Sequence, residues 1–87
     1  MKVFFITFRS VTYAQRGEQA LRSAGYKCRL RRTPKWMEER GCGYGVELTA
    51  AGLGDGLRVL RQQQIPWRKT WLLHRSGEVE EVVDDLS

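Results

Sequence analysis

The sequence predicts an α+β fold of order βαββαβ, a four-stranded antiparallel sheet with two helices on one face. Three observations predict it. Val3-Phe4-Phe5-Ile6-Thr7-Phe8 is a nearly continuous apolar run of β-favouring residues, as expected of a strand in mid-sheet. Cys28 and Leu30 alternate with Arg29 and Arg31, the period-two pattern of a strand with one wet face. Two stretches of helical spacing fall between strand patterns, and two right-handed strand-helix-strand crossovers set both helices on the same face.

The elements follow in order. After the first strand, Ser10 offers an N-cap for a helix over about residues 11 to 24, and Gly25 supplies its stop. Ala14, Gly17, Leu21 and Ala24 share one face of that helix. The face is small enough to let the helix sit close to the sheet, which must offset the cost of about 1 kcal/mol for a mid-helix glycine. The second strand spans about Lys27 to Thr33, with Cys28 and Leu30 inward and the arginines facing water; Cys28 is thereby read as a core thiol. Pro34 ends it, and Lys35 to Arg40 form a polar connection. The third strand runs over about Tyr44 to Leu48, with Val46 and Leu48 on one side. A second helix begins near Thr49 or Ala50 and reaches about Gln64; Leu53, Leu57 and Leu60 form its stripe, and Gly52, Gly54 and Gly56 predict a frayed start. After Ile65-Pro66-Trp67, a fourth strand covers about Lys69 to Leu73. Val79, Val82, Val83 and Leu86 recur at helical spacing, so the tail is read as a short acidic amphipathic helix. The whole is a ferredoxin-like sandwich over residues 1–75, extended by the tail over residues 76–87.

At 87 residues the chain suits one domain. It would bury only about 60 to 65% of its extended-chain surface, so a partner or a homodimer contact would add to a modest stability. The charge is divided: residues 1–77 hold all fifteen Lys and Arg but five acids, and the last ten residues hold the other five acids and no base. The acidic tail can lie across a basic face or repel a polyanion from it. No apolar run reaches the 18 residues of a transmembrane helix, and Arg9 interrupts the opening run too soon for a secretory leader, which makes a cytoplasmic location the expectation and a membrane role none. Two cysteines and one histidine, His74, make neither a disulfide framework nor a metal site, and no cofactor is implied.

The residue that carries chemistry is Cys42, set between Gly41 and Gly43 at a loop-strand junction. Neither neighbour has a side chain to cover the sulfur, and glycines accept turn conformations closed to other residues. The competing reading is a cysteine that merely covers the end of a small core. With the third strand set parallel beside the first, Cys42 falls at the edge where the first strand starts and the second and fourth end. Arg32, Lys35 and Arg40 belong near that edge, and His74 emerges there too. Helix C-termini then point toward the sulfur and disfavour an anion. Activation falls to those cations or to N–H groups of the Gly41-Cys42-Gly43 turn.

The run Val3-Phe4-Phe5-Ile6-Thr7-Phe8 with Ser10-Val11-Thr12-Tyr13-Ala14 and Gly25, then Arg32-Thr33-Pro34, then Gly41-Cys42-Gly43-Tyr44-Gly45-Val46-Glu47-Leu48 resembles the selenium/sulfur carrier-like family. That family of small bacterial proteins began as a domain of unknown function. The likeness spans about residues 2–73. Cys42 and Gly43 map onto the family's Cys-Gly pair, and Thr33 and Pro34 onto its Thr-Pro step. Gly41 stands where a serine or similar residue is commoner, and the glycine-rich second helix and the acidic tail are further departures. The resemblance implies a bacterial cytoplasmic carrier that holds zero-valent sulfur or selenium on Cys42 and exchanges it with donor and acceptor proteins.

Two other function classes stay open. A regulatory or ligand-binding module needs no reactive thiol, and this fold hosts many such contacts. Nucleic-acid binding would use Arg29, Arg31, Arg32, Lys35 and Arg40 with Tyr26 and Trp36 as stacking groups, but no base-reading motif is present and it ranks below the others. A hydrolase lacks a Ser/His/Asp set, and whether the chain is an enzyme at all is left open.

Overall fold

The computed structural model describes residues 3–34, 43–49 and 52–82. The chain forms β1 (Val3–Thr7), α1 (Val11–Ser23), β2 (Lys27–Arg32), β3 (Tyr44–Thr49), α2 (Leu53–Gln62), β4 (Thr70–Leu73) and β5 (Val79–Val82). The strands make one sheet of order β2-β3-β1-β4-β5, antiparallel at every pairing. The α+β class and the mid-sheet place of the first strand hold. The sheet has five strands rather than four.

Register sorts the residues onto two faces, because directly opposed residues in a ladder share a face. Cys28, Leu48, Phe4 and Leu72 form one row, and Leu30, Val46, Ile6 and Thr70 the next. Against these rows pack Ala14 and Leu21 of α1 and Leu53, Leu57 and Leu60 of α2, all buried. Ser10 caps α1 as expected, its Oγ accepting from the Tyr13 N–H at 3.2 Å. Gly17 has a packing reason: a Cβ there would lie 2.7 Å from Cζ of Phe8, a fully buried ring. Ala24 is the C-cap of α1 and exposed, so it does not share the buried face. The second helix starts at Leu53, later than the spacing suggests, because Thr49 is taken by β3 and the N-cap Gly52 has no side chain to bond.

The tail is corrected from helix to strand over the described part, residues 79–82. The cause is the outer edge of β4, whose N–H and C=O groups a neighbouring helix would leave without ladder partners. Gly77, at φ +97°, turns the chain back; its N–H donates to the His74 carbonyl (3.0 Å) and the His74 N–H to the Glu78 carbonyl (2.8 Å). The Thr70 hydroxyl then donates to the Val82 carbonyl at 2.8 Å. Val82 packs against the core, whereas Val79 pairs with Leu73 on the other face. Val83 and Leu86, the other members of the expected stripe, lie outside the described residues.

A second correction concerns direction. β3 runs antiparallel to β1, not parallel. The crossover through α1 returns β2 in the direction of β1, and the β2 to β3 connection then reverses the chain, so β3 opposes both.

Candidate functional site

The antiparallel register relocates the site. Gly45 pairs with Thr7 and Tyr44 with Arg32, so the start of β3 lies where β1 and β2 end and β4 begins. Cys42, Gly41, Arg40 and Lys35 lie outside the described residues; Gly43 and Arg32 are described. The Thr33 N–H donates to the Gly43 carbonyl at 2.7 Å, which joins the Arg32-Thr33-Pro34 segment to the residue bonded to Cys42. Gly43 has φ +80°, a backbone conformation that glycine adopts without steric cost. Thr33 is 5% exposed, and its Oγ1 is buried with no hydrogen-bond partner among the described residues.

Charge at this end is set by neighbours. Arg29 and Arg31 both bond Glu47, at 3.1 and 2.9 Å, so their charge is partly compensated on the face away from the helices. Arg32 instead lies over the Tyr44 ring, 5.8 Å from its centroid, within range of a cation–π contact. A shallow groove of about 190 Å³ runs from Arg31, Arg32 and Pro34 past Phe5 to Leu73 and Val79.

The same register overturns two expectations. His74 follows Leu73, which pairs with Val3, so it sits at the opposite end of the sheet from Gly43, where it bonds Glu80 at 3.1 Å. The helices do not both aim their C-termini at the site. α1 starts just after β1 ends, so its N-terminus lies at the Gly43 end, and only α2 presents a C-terminus there. A helix N-terminus favours an anion, and α1 has no acidic residue in its first turn to compete.

Three residues at this end, Arg9, Arg68 and Lys69, were not among the candidate site residues of the sequence; Thr7 ties two of them in. Arg9 follows β1, and the Arg68 N–H donates to the Thr7 carbonyl at 2.8 Å. Thr7 Oγ1 accepts the Lys69 N–H at 3.0 Å, tying β1 to the entry of β4. An antiparallel placement of the third strand would have brought all three to this end.

Cys28 is the other thiol, a free cysteine 7% exposed within the core. Its Sγ donates to the Glu18 carbonyl at 3.6 Å. Burial, reinforced by the Glu18 charge and opposed by Arg22, pushes this thiol up from its ordinary value, away from nucleophilic use at neutral pH. Cys28 pairs with Leu48 toward the far end of β3 from Gly43. Tyr26 lies there with Arg22, Lys27 and Arg29 around a depression beside Cys28; Trp36, its expected stacking companion, lies outside the described residues. Among the described residues no group of three or more His, Cys, Asp and Glu is placed to hold a metal ion, and no helix is long and apolar enough to cross a membrane.

A family model described as "Putative Se/S carrier protein-like" matches residues 4–72, a stretch that contains Thr33, Pro34, Cys42 and Gly43. No curated protein and no solved structure matches the chain.

Proposed function

The chain belongs to the Se/S carrier-like family, and we propose that it carries zero-valent sulfur or selenium on Cys42. The Cys42 thiolate attacks the outer chalcogen of a donor protein's persulfide or perselenide. The new bond to Cys42 forms as the donor's bond breaks, and the donor leaves as a thiolate, so no outside oxidant is consumed. The adduct, S–S⁻ or S–Se⁻, is discharged when an acceptor nucleophile attacks that same outer atom and Cys42 leaves as thiolate. Cysteine suits the task because its thiolate is both a good nucleophile and a good leaving group.

The observation that carries this reading is the family match, because it spans the cysteine and the Thr-Pro step together. The local geometry supports it. Gly43 is held in the left-handed region, the α1 N-terminus is at the same end of the sheet, and Arg32 belongs to the strand end bonded to Gly43. In this proposal Arg32, Lys35 and Arg40 hold the anionic adduct, and the glycines Gly41 and Gly43 keep the sulfur approachable and supply N–H donors. A cytoplasmic setting belongs to the proposal too, since the exchange needs reduced thiols.

Intact-mass measurement after incubation with a persulfide or perselenide donor tests it. A single added sulfur or selenium is expected, absent in Cys42→Ser and removed by an acceptor thiol. Equal labelling of Cys42→Ser, or no adduct from a competent donor, refutes carriage and puts the binding-module reading ahead.

A further inference from the structure

The two edges of the sheet differ. At β2 the outer edge is plugged by α1: Glu18 Oε2 accepts the Leu30 N–H at 2.8 Å, and Arg22 Nε donates to the Cys28 carbonyl at 3.3 Å. The two side chains are themselves 3.4 Å apart. A strand added there would have to displace both. Such side chains guard an edge against pairing. Among the described residues nothing plugs β5 in this way.

The hairpin bond from the His74 N–H to the Glu78 carbonyl sets the alternation along β5. Glu80 and Val82 face β4, opposite Leu72 and Thr70, so Val79 and Glu81 turn their N–H and C=O groups outward. Charge then selects the occupant. A two-fold pairing of β5 with a second copy centred on Val79 opposes Glu78 to Glu80; centred on Glu80 it opposes Glu80 to itself, and centred on Glu81, Glu81 to itself. Like charges directly opposed destabilise a ladder. Glu80 and Glu81 are 67% and 47% exposed even with His74 and Lys69 beside them, which leaves room for further cations, and Asp84 and Asp85 follow in the sequence.

We propose that the outer edge of β5 docks an extended, Lys- and Arg-bearing segment of a partner protein, which joins the sheet by antiparallel strand addition. Main-chain bonds to Val79 and Glu81 supply the attachment, and basic side chains opposite Glu80 and Glu81 supply the selectivity. The surface does not depend on thiol chemistry, so it stands or falls apart from the role of Cys42.

The full chain is titrated with the peptide acetyl-Thr-Val-Lys-Arg-Val-Thr-amide, whose adjacent Lys and Arg can oppose Glu81 and Glu80 on the two faces, and with its counterpart carrying Glu in place of Lys and Arg, in the wild type and in Cys42→Ser. The basic peptide is expected to bind both proteins, to slow hydrogen exchange at the Val79 and Glu81 amides, and to bind about tenfold tighter than the acidic one. Glu80→Lys with Glu81→Lys is expected to reverse that order. Glu81→Pro removes an outward N–H and no bond to β4, so it should weaken binding while near-ultraviolet circular dichroism stays native. Equal binding of the two peptides, or protection that maps away from Val79 and Glu81, overturns the proposal. So does protection of those amides by self-association without peptide.

Discussion

Replacing Gly45 with alanine tests the packing that places the site end of β3. A glycine inside a strand normally costs about 0.5–1 kcal/mol relative to alanine, so the substitution would ordinarily stabilise. Here the structure reverses the sign. A Cβ at Gly45 would lie 2.6 Å from the Ile6 carbonyl oxygen and 2.7 and 2.8 Å from Cζ and Cε2 of Phe5. The first contact is backbone of the central strand, paired on both sides, and cannot give without disturbing the ladder. The second is a ring only 3% exposed, with Cζ and Cε2 against Gly45 on the face that carries no helix. Overpacking of this kind costs about 1–3 kcal/mol, and with a backbone atom involved the upper end is expected, about 3 kcal/mol. Urea unfolding followed by tryptophan fluorescence reads it: at a slope of roughly 1 kcal/mol per molar, the midpoint falls by about 3 M. Adding Phe5→Leu to Gly45→Ala removes the ring contacts but not the carbonyl contact, so it should recover only part of the loss. A midpoint unchanged or raised in Gly45→Ala would refute the argument.

Thr33→Val replaces a buried hydroxyl that has no partner among the described residues with a methyl of similar shape; it should raise stability by about 1 kcal/mol, seen as a melting temperature higher by about 4–8 °C. Cys28 has its pKa raised in the fold, so the folded state holds its proton more tightly than the unfolded chain. Its contribution is therefore complete below the ordinary thiol value, about 8.5, and is lost as pH rises above it; equilibrium unfolding of wild type against Cys28→Ala across alkaline pH should converge in that window. Alkylation rates across pH should show Cys42 reacting first and Cys28 only as the fold opens. A chain ending at Gly77 loses β5 and the Thr70 to Val82 bond, leaving Thr70, now 1% exposed, at a bare edge; it should bind a hydrophobic dye and melt lower, and unchanged dye binding and melting would show that β5 contributes nothing to the fold.

The sequence by itself determined the element order as far as β4, because each of those elements carries a local signal, among them Ser10 at the cap, Gly25 after the helix, Cys28 and Leu30 in alternation, and Leu53, Leu57 and Leu60 on one helical stripe. It also marked Cys28 as a core thiol, through its place in an alternating strand pattern. The family resemblance, carried by the Thr33-Pro34 and Cys42-Gly43 motifs, was likewise legible. The tertiary structure decided what depends on pairing across the sheet. Spacing cannot tell whether Val79 and Val82 lie on one helix face or on opposite faces of a strand; the unpaired edge of β4 settles that, with Gly77 making the turn. Strand direction is equally invisible to periodicity, yet it moves His74 to the far end and brings the α1 N-terminus to the Gly43 end. The burial of the Thr33 hydroxyl and the plugging of β2 by Glu18 and Arg22 arise between residues distant in sequence, where only the folded backbone fixes which polar groups meet a partner.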